Sequence, residues 1–211
     1  MNLPMIPLGL IFSIISAATC TSPSGADRKM LTPSPILTVV KAKVQSDALL
    51  LGYRVNNTTD HPVYLTVRLF RHAASGLVTD SNLVYTEVKE GVLRLTKALL
   101  PVPDHIDVEV PEVPYVVKLD TGKSFEETIR VSLPVEPFHP YQGVKRVNDV
   151  RTFSKVELAI GWLTDDGGKV DQIVRAGQPA ELQIHHQTVA KQQQLLTATV
   201  DVQLPAHLAA P

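Results

Sequence analysis

The stretch VYLTVRLFR (Val63–Arg71) alternates along its length with a period of two residues. Successive side chains of a β-strand point to opposite faces of a sheet, so this alternation predicts a strand. The polar cluster NNTTDHP directly before it predicts a turn, because Asn, Thr and Asp side chains hydrogen-bond their own backbone. The two faces of the strand would carry Val63, Leu65, Val67 and Leu69 on one side, and Tyr64, Thr66, Arg68 and Phe70 on the other.

Short segments of the same kind recur before and after this stretch, separated by polar turns. The DDGG turn after FSKVELAIGWLT predicts a hairpin into KVDQIVRA, and QTVAKQQQ is either a short helix or a loop. Many short strands without long helical patterns indicate an all-β antiparallel sandwich with one or two short helical segments at most. The main strand candidates are ILTVVKAKV (Ile36–Val44), ALLLGYRVN (Ala48–Asn56), NLVYTEV (Asn82–Val88), VLRLTKALL (Val92–Leu100), YVVKLDTGKSFEETIRVSLP (Tyr115–Pro134), FSKVELAIGWLT (Phe153–Thr164), AELQIHH (Ala180–His186) and LLTATVDVQLP (Leu195–Pro205).

Two of these regions resemble immunoglobulin-like or fibronectin-type modules of bacterial envelopes. They are the strand–turn–strand unit Tyr53–Phe70 and the segment VVKLDTGKSFEETIRV (Val116–Val131), in which a glycine-containing turn leads into a strand headed by an aromatic residue. The resemblance implies an antiparallel immunoglobulin-like sandwich with extra strands. The cysteine pair of the family is absent from this chain.

The strand candidates fill residues 36–204, which exceeds one module of about 100 residues. We expect one elaborated sandwich over 36–204, followed by a tail at 205–211. The alternative is two small β domains that divide in the proline-rich segment near 101–114.

The N-terminal stretch Leu3–Ala18 is almost wholly apolar and carries no charge. As a helix it would be about 24 Å long, short of the roughly 30 Å hydrocarbon core of a bilayer. An apolar stretch of this length that ends in small residues predicts an export signal over residues 1–19.

The sequence Ala17-Ala18-Thr19-Cys20 resembles the lipobox of bacterial lipoproteins, with Ala17 where Leu is usual and Thr19 where Gly or Ala is usual. The resemblance implies that Cys20 becomes the N-terminus and carries fatty acyl chains such as palmitate. Residues 20–35 would then be the lipidated cysteine and a flexible tether. An Asp directly after the cysteine would resemble an inner-membrane retention signal. This chain has Thr21 there, so an outer-membrane lipoprotein facing the periplasm is favoured. The alternative is plain signal cleavage and a soluble periplasmic protein.

Charge and cysteine content exclude several classes of protein. The chain has 20 basic and 21 acidic residues, a formal net charge of −1, and no basic cluster. This pattern argues against nucleic acid as a partner. Cys20 is the only cysteine, so no intramolecular disulfide can form.

No motif in the sequence points to a catalytic centre. The adjacent carboxylates Glu126 and Glu127 would straddle a strand and face opposite sides of the sheet. The adjacent His185 and His186 would also face opposite sides of the sheet, so they cannot both bind one metal ion from a strand. One of them together with a histidine from a loop is then a weak candidate for metal binding. We therefore expect no enzyme and no cofactor.

A possible protein contact lies on the second face of the Val63–Arg71 strand. Tyr64, Arg68 and Phe70 would form an exposed aromatic and basic patch there, although burial of this face by a second sheet is the favoured alternative.

The function that fits these features is a membrane-anchored envelope lipoprotein that acts as a non-enzymatic structural or protein-interaction module. Its partners would be the membrane, through the lipid, and a protein of the envelope. The alternative is a periplasmic β-sandwich that binds a metal or small ligand, for which the histidines are the argument. A hydrolase has no support in the sequence.

Overall fold

A computed structural model describes residues 33–73, 76–108, 113–141, 146–164, 172–174 and 182–209. Over these residues β-strands dominate, with a single short helix, as the alternation of the sequence predicts. The elements are β1 (Ile36–Val44), β2 (Ala48–Asn56), β3 (Val63–Ala73), β4 (Gly76–Asp80), β5 (Tyr85–Lys89), β6 (Val92–Lys97), β7 (Tyr115–Leu119), β8 (Ser124–Ser132), β9 (Arg146–Thr164), β10 (Gln172–Val174), β11 (Leu182–Ile184), α1 (His186–Gln192) and β12 (Gln194–Ala209).

The strands form two sheets. The smaller sheet has the order β1-β2-β8, with all pairs antiparallel. The larger sheet has the order β10-β11-β7-β3-β9-β6-β5, with β12 paired to β9 and β4 paired to β3. The fold is therefore all-β, as predicted.

The larger sheet is mixed, which corrects the expectation of a purely antiparallel sandwich. Strands β6 and β9 run parallel, with Leu93 opposite Val156 and Lys97 opposite Ile160. Parallel neighbours need a long crossover connection, and here the chain forms β7 and β8 between the two strands. A period-two pattern shows which residues form a strand but not which strand lies beside it.

One apolar core lies between the sheets. It takes side chains from strands on both sides of residues 101–114, and residues 33–211 cluster as one compact unit. The two-domain alternative therefore has no support in the contacts. The largest contributors are Leu49, Leu51, Tyr53 and Ile129 from the smaller sheet and Leu65, Leu93, Leu95, Leu158, Ile160 and Trp162 from the larger one.

The predicted hairpin between β9 and the next strand is wrong. Strand β10 pairs with β11, with Gln172 opposite Ile184. At Trp162 both edges of β9 are already occupied, because this residue lies opposite Gln194 of β12 and Leu65 of β3. Strand β9 is thus paired on both edges up to two residues before its end.

Residues 205–209, predicted as part of a tail, form the end of β12. Ala206 and His207 are buried, and Ala206 forms a bridge with Val135 on the far side from β9. The segment around Val135 covers this end of the strand, and Ala206 and Val135 both belong to the apolar core. That contact joins residues about 70 positions apart in the chain, which no local pattern reveals.

The polar turn between β2 and β3 is built on the buried side chain of Asn57. Its Nδ2 donates to the carbonyl oxygens of His61 (2.8 Å) and Leu119 (2.9 Å), and its Oδ1 accepts from the backbone N–H of Thr59 (3.0 Å). The main chain of Asn57 also exchanges hydrogen bonds with Gly122 and Lys123 in the β7–β8 turn. One amide therefore ties two turns together.

Replacing Asn57 with alanine is expected to lower the free energy of unfolding by about 2 kcal/mol, because buried carbonyls lose their donors. Urea denaturation followed by circular dichroism measures the change. Thr58→Ala is the matched control, since its hydroxyl binds Ser34 at an exposed position and should change stability by less than about 0.5 kcal/mol. Equal effects of the two substitutions would contradict this account of the turn.

Candidate functional site

Cys20, the predicted lipidation site, lies outside the described residues, as does the whole predicted export signal. Lipidation at this position stays a prediction from the sequence.

The adjacent His185 and His186 lie at the start of α1 rather than within a strand. Strand β11 ends at Ile184, and exposed His185 then takes the N-cap position of the helix without a side-chain capping hydrogen bond. The strand alternation predicted for this pair is therefore wrong. Within the described ranges, no group of three or more His, Cys, Asp or Glu side chains is arranged to hold a metal ion.

The predicted contact patch of Tyr64, Arg68 and Phe70 is not an exposed surface. Tyr64 is fully buried, and Phe70 is 8% exposed and packs against Tyr115 with ring centroids 5.3 Å apart. The physical reason is a second apolar cluster on this side of the larger sheet. Tyr64 packs there with Leu99, Val116, Leu163, Ile184 and, from α1, Val189.

A bulge in β3 alters the strand alternation from which the exposed patch was predicted. The register with β7 shifts between Thr66 and Arg68, so Val67 is the extra residue that has no opposite neighbour. A bulge leaves such a residue outside the regular ladder and changes the alternation beyond it. The carbonyl oxygen of Val67 instead accepts a hydrogen bond from Lys97 Nζ at 3.0 Å.

Lys97 is the centre of a buried polar cluster between the sheets. Its side chain is fully buried, and Nζ donates to the carbonyl oxygens of Val67 and Ser81 (2.6 Å) and to Glu127 Oε2 (2.5 Å). Three donated hydrogen bonds are what an ammonium group can supply. Tyr53 Oη donates to the same carboxylate oxygen of Glu127 at 2.8 Å. We call Tyr53, Lys97 and Glu127 the inter-sheet cluster.

Burial dominates the protonation chemistry of this cluster. It lowers the pKa of Lys97 from its ordinary value, against the opposing effect of the Glu127 carboxylate. It raises the pKa of Tyr53 well above its ordinary value, and the charge of Glu127 and its hydrogen bond act in the same direction. Tyr53 therefore keeps its proton and remains a donor. Arg68 is half-buried, and its positive charge lowers both pKa values by a smaller effect than burial.

The cluster connects the two sheets, since Lys97 belongs to β6 of the larger sheet while Tyr53 and Glu127 are opposite each other on β2 and β8 of the smaller one. Its charged nitrogen is not accessible from solvent. The arrangement therefore holds strands in register and offers no surface on which a substrate could react.

The sequence carries a signal for this cluster, namely charged residues at inward positions of two strands, which differs from the catalytic and metal-binding motifs considered above. Lys97 follows Leu93 and Leu95 at every second position, and Glu127 falls between the inward-facing Phe125 and Ile129. Opposite charges at inward positions of two strands indicate a buried pair. The prediction that Glu126 and Glu127 straddle the strand is confirmed, because Glu126 faces outward and pairs with Arg54 at 2.5 Å.

A surface cleft of about 230 Å³ lies at one edge of the larger sheet. Strand β5 is the last strand in that sheet, and the segment around Phe138 packs against it. We call this feature the β5 cleft. It is lined by Tyr85, Thr86, Glu87, Thr96, Leu100, Pro101, Phe138 and His139.

No protein-family model, curated protein or solved structure matches this chain. In the part of the chain that the structure describes, no helix has the length and apolar character needed to cross a membrane.

Proposed function

We propose that the chain is a bacterial envelope lipoprotein, anchored through acylated Cys20, whose immunoglobulin-like sandwich is a non-enzymatic structural or protein-interaction module. The observation that carries the proposal is the sequence Ala17-Ala18-Thr19-Cys20 at the end of an uncharged apolar stretch. A cysteine at that place in an exported chain is the residue to which acyl chains are attached in the lipoproteins that it resembles.

The spacing between Cys20 and the first strand supports the same proposal. Strand β1 begins at Ile36, so residues 21–35 separate the cysteine from the sandwich. This segment, TSPSGADRKMLTPSP, is rich in Ser, Pro and Thr. A chain of fifteen residues spans at most about 50 Å when extended, and Gly/Ser-rich chains of this length span about 20 Å on average, so the number of residues suffices to hold a domain clear of lipid headgroups.

The immunoglobulin-like assignment is supported by two sheets that share one core and by the strand–turn–strand unit on both sides of Asn57. The parallel pair β6–β9 is an addition to the antiparallel pattern of that class. Under this proposal the outer membrane, facing the periplasm, is the location, because Thr21 follows the cysteine.

Intact-mass measurement of the protein extracted from membranes tests the proposal. We expect a mature chain that begins at Cys20 and carries the added mass of a diacylglyceryl group. A chain expressed without residues 1–19 is the control and should have the unmodified mass. An unmodified N-terminus at Thr19 or Cys20 in the full-length product would contradict lipidation.

A further inference from the structure

The β5 cleft is held in shape by hydrogen bonds that do not depend on a ligand. Thr86 backbone N–H donates to the Phe138 carbonyl oxygen (2.9 Å), and Thr86 Oγ1 accepts from Phe138 N–H (2.7 Å) while it donates to the Glu136 carbonyl oxygen (2.6 Å). The rings of Phe138 and Tyr85 lie 5.6 Å apart and form an aromatic wall. A preformed cleft loses little conformational entropy when it binds.

His139 gives the cleft a hydrogen-bond donor. Its Nδ1 accepts from the backbone N–H of Tyr141 at 3.2 Å, so a neutral imidazole must carry its proton on Nε2. Burial lowers the pKa of His139 from its ordinary value, and the charge of Glu87 opposes this with a smaller effect. The lowered pKa favours the neutral ring at neutral pH. Nε2–H is then a donor suited to a carbonyl oxygen.

The lining of the cleft includes one acidic side chain, Glu87. Glu87, whose side chain is 56% exposed, binds Arg94 at 3.2 Å, and Arg94 also binds Glu157 at 2.5 Å. Glu87 thus shares its guanidinium partner with a second carboxylate, so the negative charge that it brings to the cleft is only partly compensated. This site complements a basic group.

The edge of β5 offers backbone groups next to the cleft. In an antiparallel strand, alternate residues direct their N–H and C=O groups to the same side. Thr86 directs its N–H away from β6 to Phe138, so Val88, two residues further on, directs its backbone groups to the same edge. The side chain of Val88 is 41% exposed. An extended peptide can add to such an edge by main-chain hydrogen bonds.

We propose that the β5 cleft binds an extended segment of a partner protein, which inserts one aromatic side chain between Phe138 and Pro101 with a basic residue beside Glu87. The volume of about 230 Å³ suits a single large side chain and is below the roughly 300–1,000 Å³ typical of small-molecule pockets. This inference rests on the proposed function only in that it names the contact surface of the interaction module.

Peptide binding to the purified full-length protein tests this proposal, with fluorescence anisotropy as the measurement. The probes are labelled pentapeptides of sequence VKWKV and VEWEV, together with a VKWKV peptide that is N-methylated at alternate backbone nitrogens. We expect VKWKV to bind about tenfold more tightly than VEWEV because of the charge at Glu87. We expect N-methylation to weaken binding by about fivefold, since it removes main-chain donors.

Variants of the cleft locate the binding. Phe138→Ala is expected to weaken VKWKV binding by at least about tenfold, and Glu87→Gln by roughly threefold. Because Glu87 is exposed, its variant keeps the test valid if Phe138→Ala folds poorly. Leu195→Ala is the control: this exposed apolar residue on β12 should leave binding unchanged.

Three outcomes of the peptide assays would overturn the proposal: no binding of VKWKV, equal binding of the two charged peptides, or binding that neither cleft variant weakens. Tryptamine binding as tightly as the pentapeptide would identify a small-molecule site instead and would also overturn it. None of these outcomes affects the acylation of Cys20, so failure here and failure of the proposed function are distinguishable.

Discussion

Replacing Glu127 with glutamine is expected to lower the free energy of unfolding by about 3 kcal/mol, because it leaves the ammonium group of Lys97 buried without a counter-charge. The side chain of Lys97 is fully buried and that of Glu127 is 14% exposed, so water cannot substitute for the lost carboxylate. Tyr53 would also lose the charged acceptor of its hydroxyl. Guanidinium denaturation, with the midpoint and the slope both fitted, measures the change.

Glu126→Gln is the matched control for this substitution. Glu126 is the preceding residue of β8, with the same side chain, but it faces solvent and pairs with Arg54 where both side chains are about half exposed. Exposed ion pairs contribute roughly 0–1 kcal/mol to stability, so the free energy of unfolding of Glu126→Gln should stay close to that of the unsubstituted protein. Equal losses from the two substitutions would contradict the assignment of Lys97 and Glu127 as a buried pair.

A double substitution separates the cost of an unpaired charge from the loss of packing. Combining Glu127→Gln with Lys97→Met removes both charges and keeps side chains of similar length. We expect the double variant to be more stable than Glu127→Gln alone, since no buried ammonium remains without a partner. If the two losses simply add, the pair does not interact as described.

The strands that the sequence predicted best are runs of β-forming residues bounded by polar turns. Strands β1 and β2 have the predicted bounds, and β3 begins at the predicted Val63, because Gln45-Ser46-Asp47 and the cluster NNTTDHP interrupt the chain between them. The sequence predicted less well which strands pair with each other. Nothing in VLRLTK indicates that β6 lies parallel to β9, since that contact depends on a connection of about 50 residues.

Site residues were harder to predict than strands because burial depends on distant layers. Tyr64 lies on the predicted face, yet the face is covered by α1, which the sequence left undecided between helix and loop. Lys97 is a second case: alternation places it at an inward position of β6, but its partner Glu127 is 30 residues away on the facing sheet and no local pattern pairs the two.

The second prediction with a large expected effect concerns how firmly the acylated protein is anchored to the membrane. Each buried methylene contributes about 0.8 kcal/mol, so a single acyl chain binds reversibly whereas several chains on one cysteine anchor firmly. With a net charge of −1, the protein has no electrostatic attraction to anionic lipid that salt could remove. We therefore expect the mature protein to stay with membranes after a high-salt wash and to be released by detergent.

Fatty-acid labelling of living cells tests lipidation most directly. Cells that express the full chain, Cys20→Ser or the neighbouring control Thr21→Ser are grown with an alkyne analogue of palmitate, and the captured protein is assayed for label. The account predicts strong labelling of the full chain and of Thr21→Ser, and only background labelling of Cys20→Ser. An unlabelled full chain, or label that persists in Cys20→Ser, would contradict it.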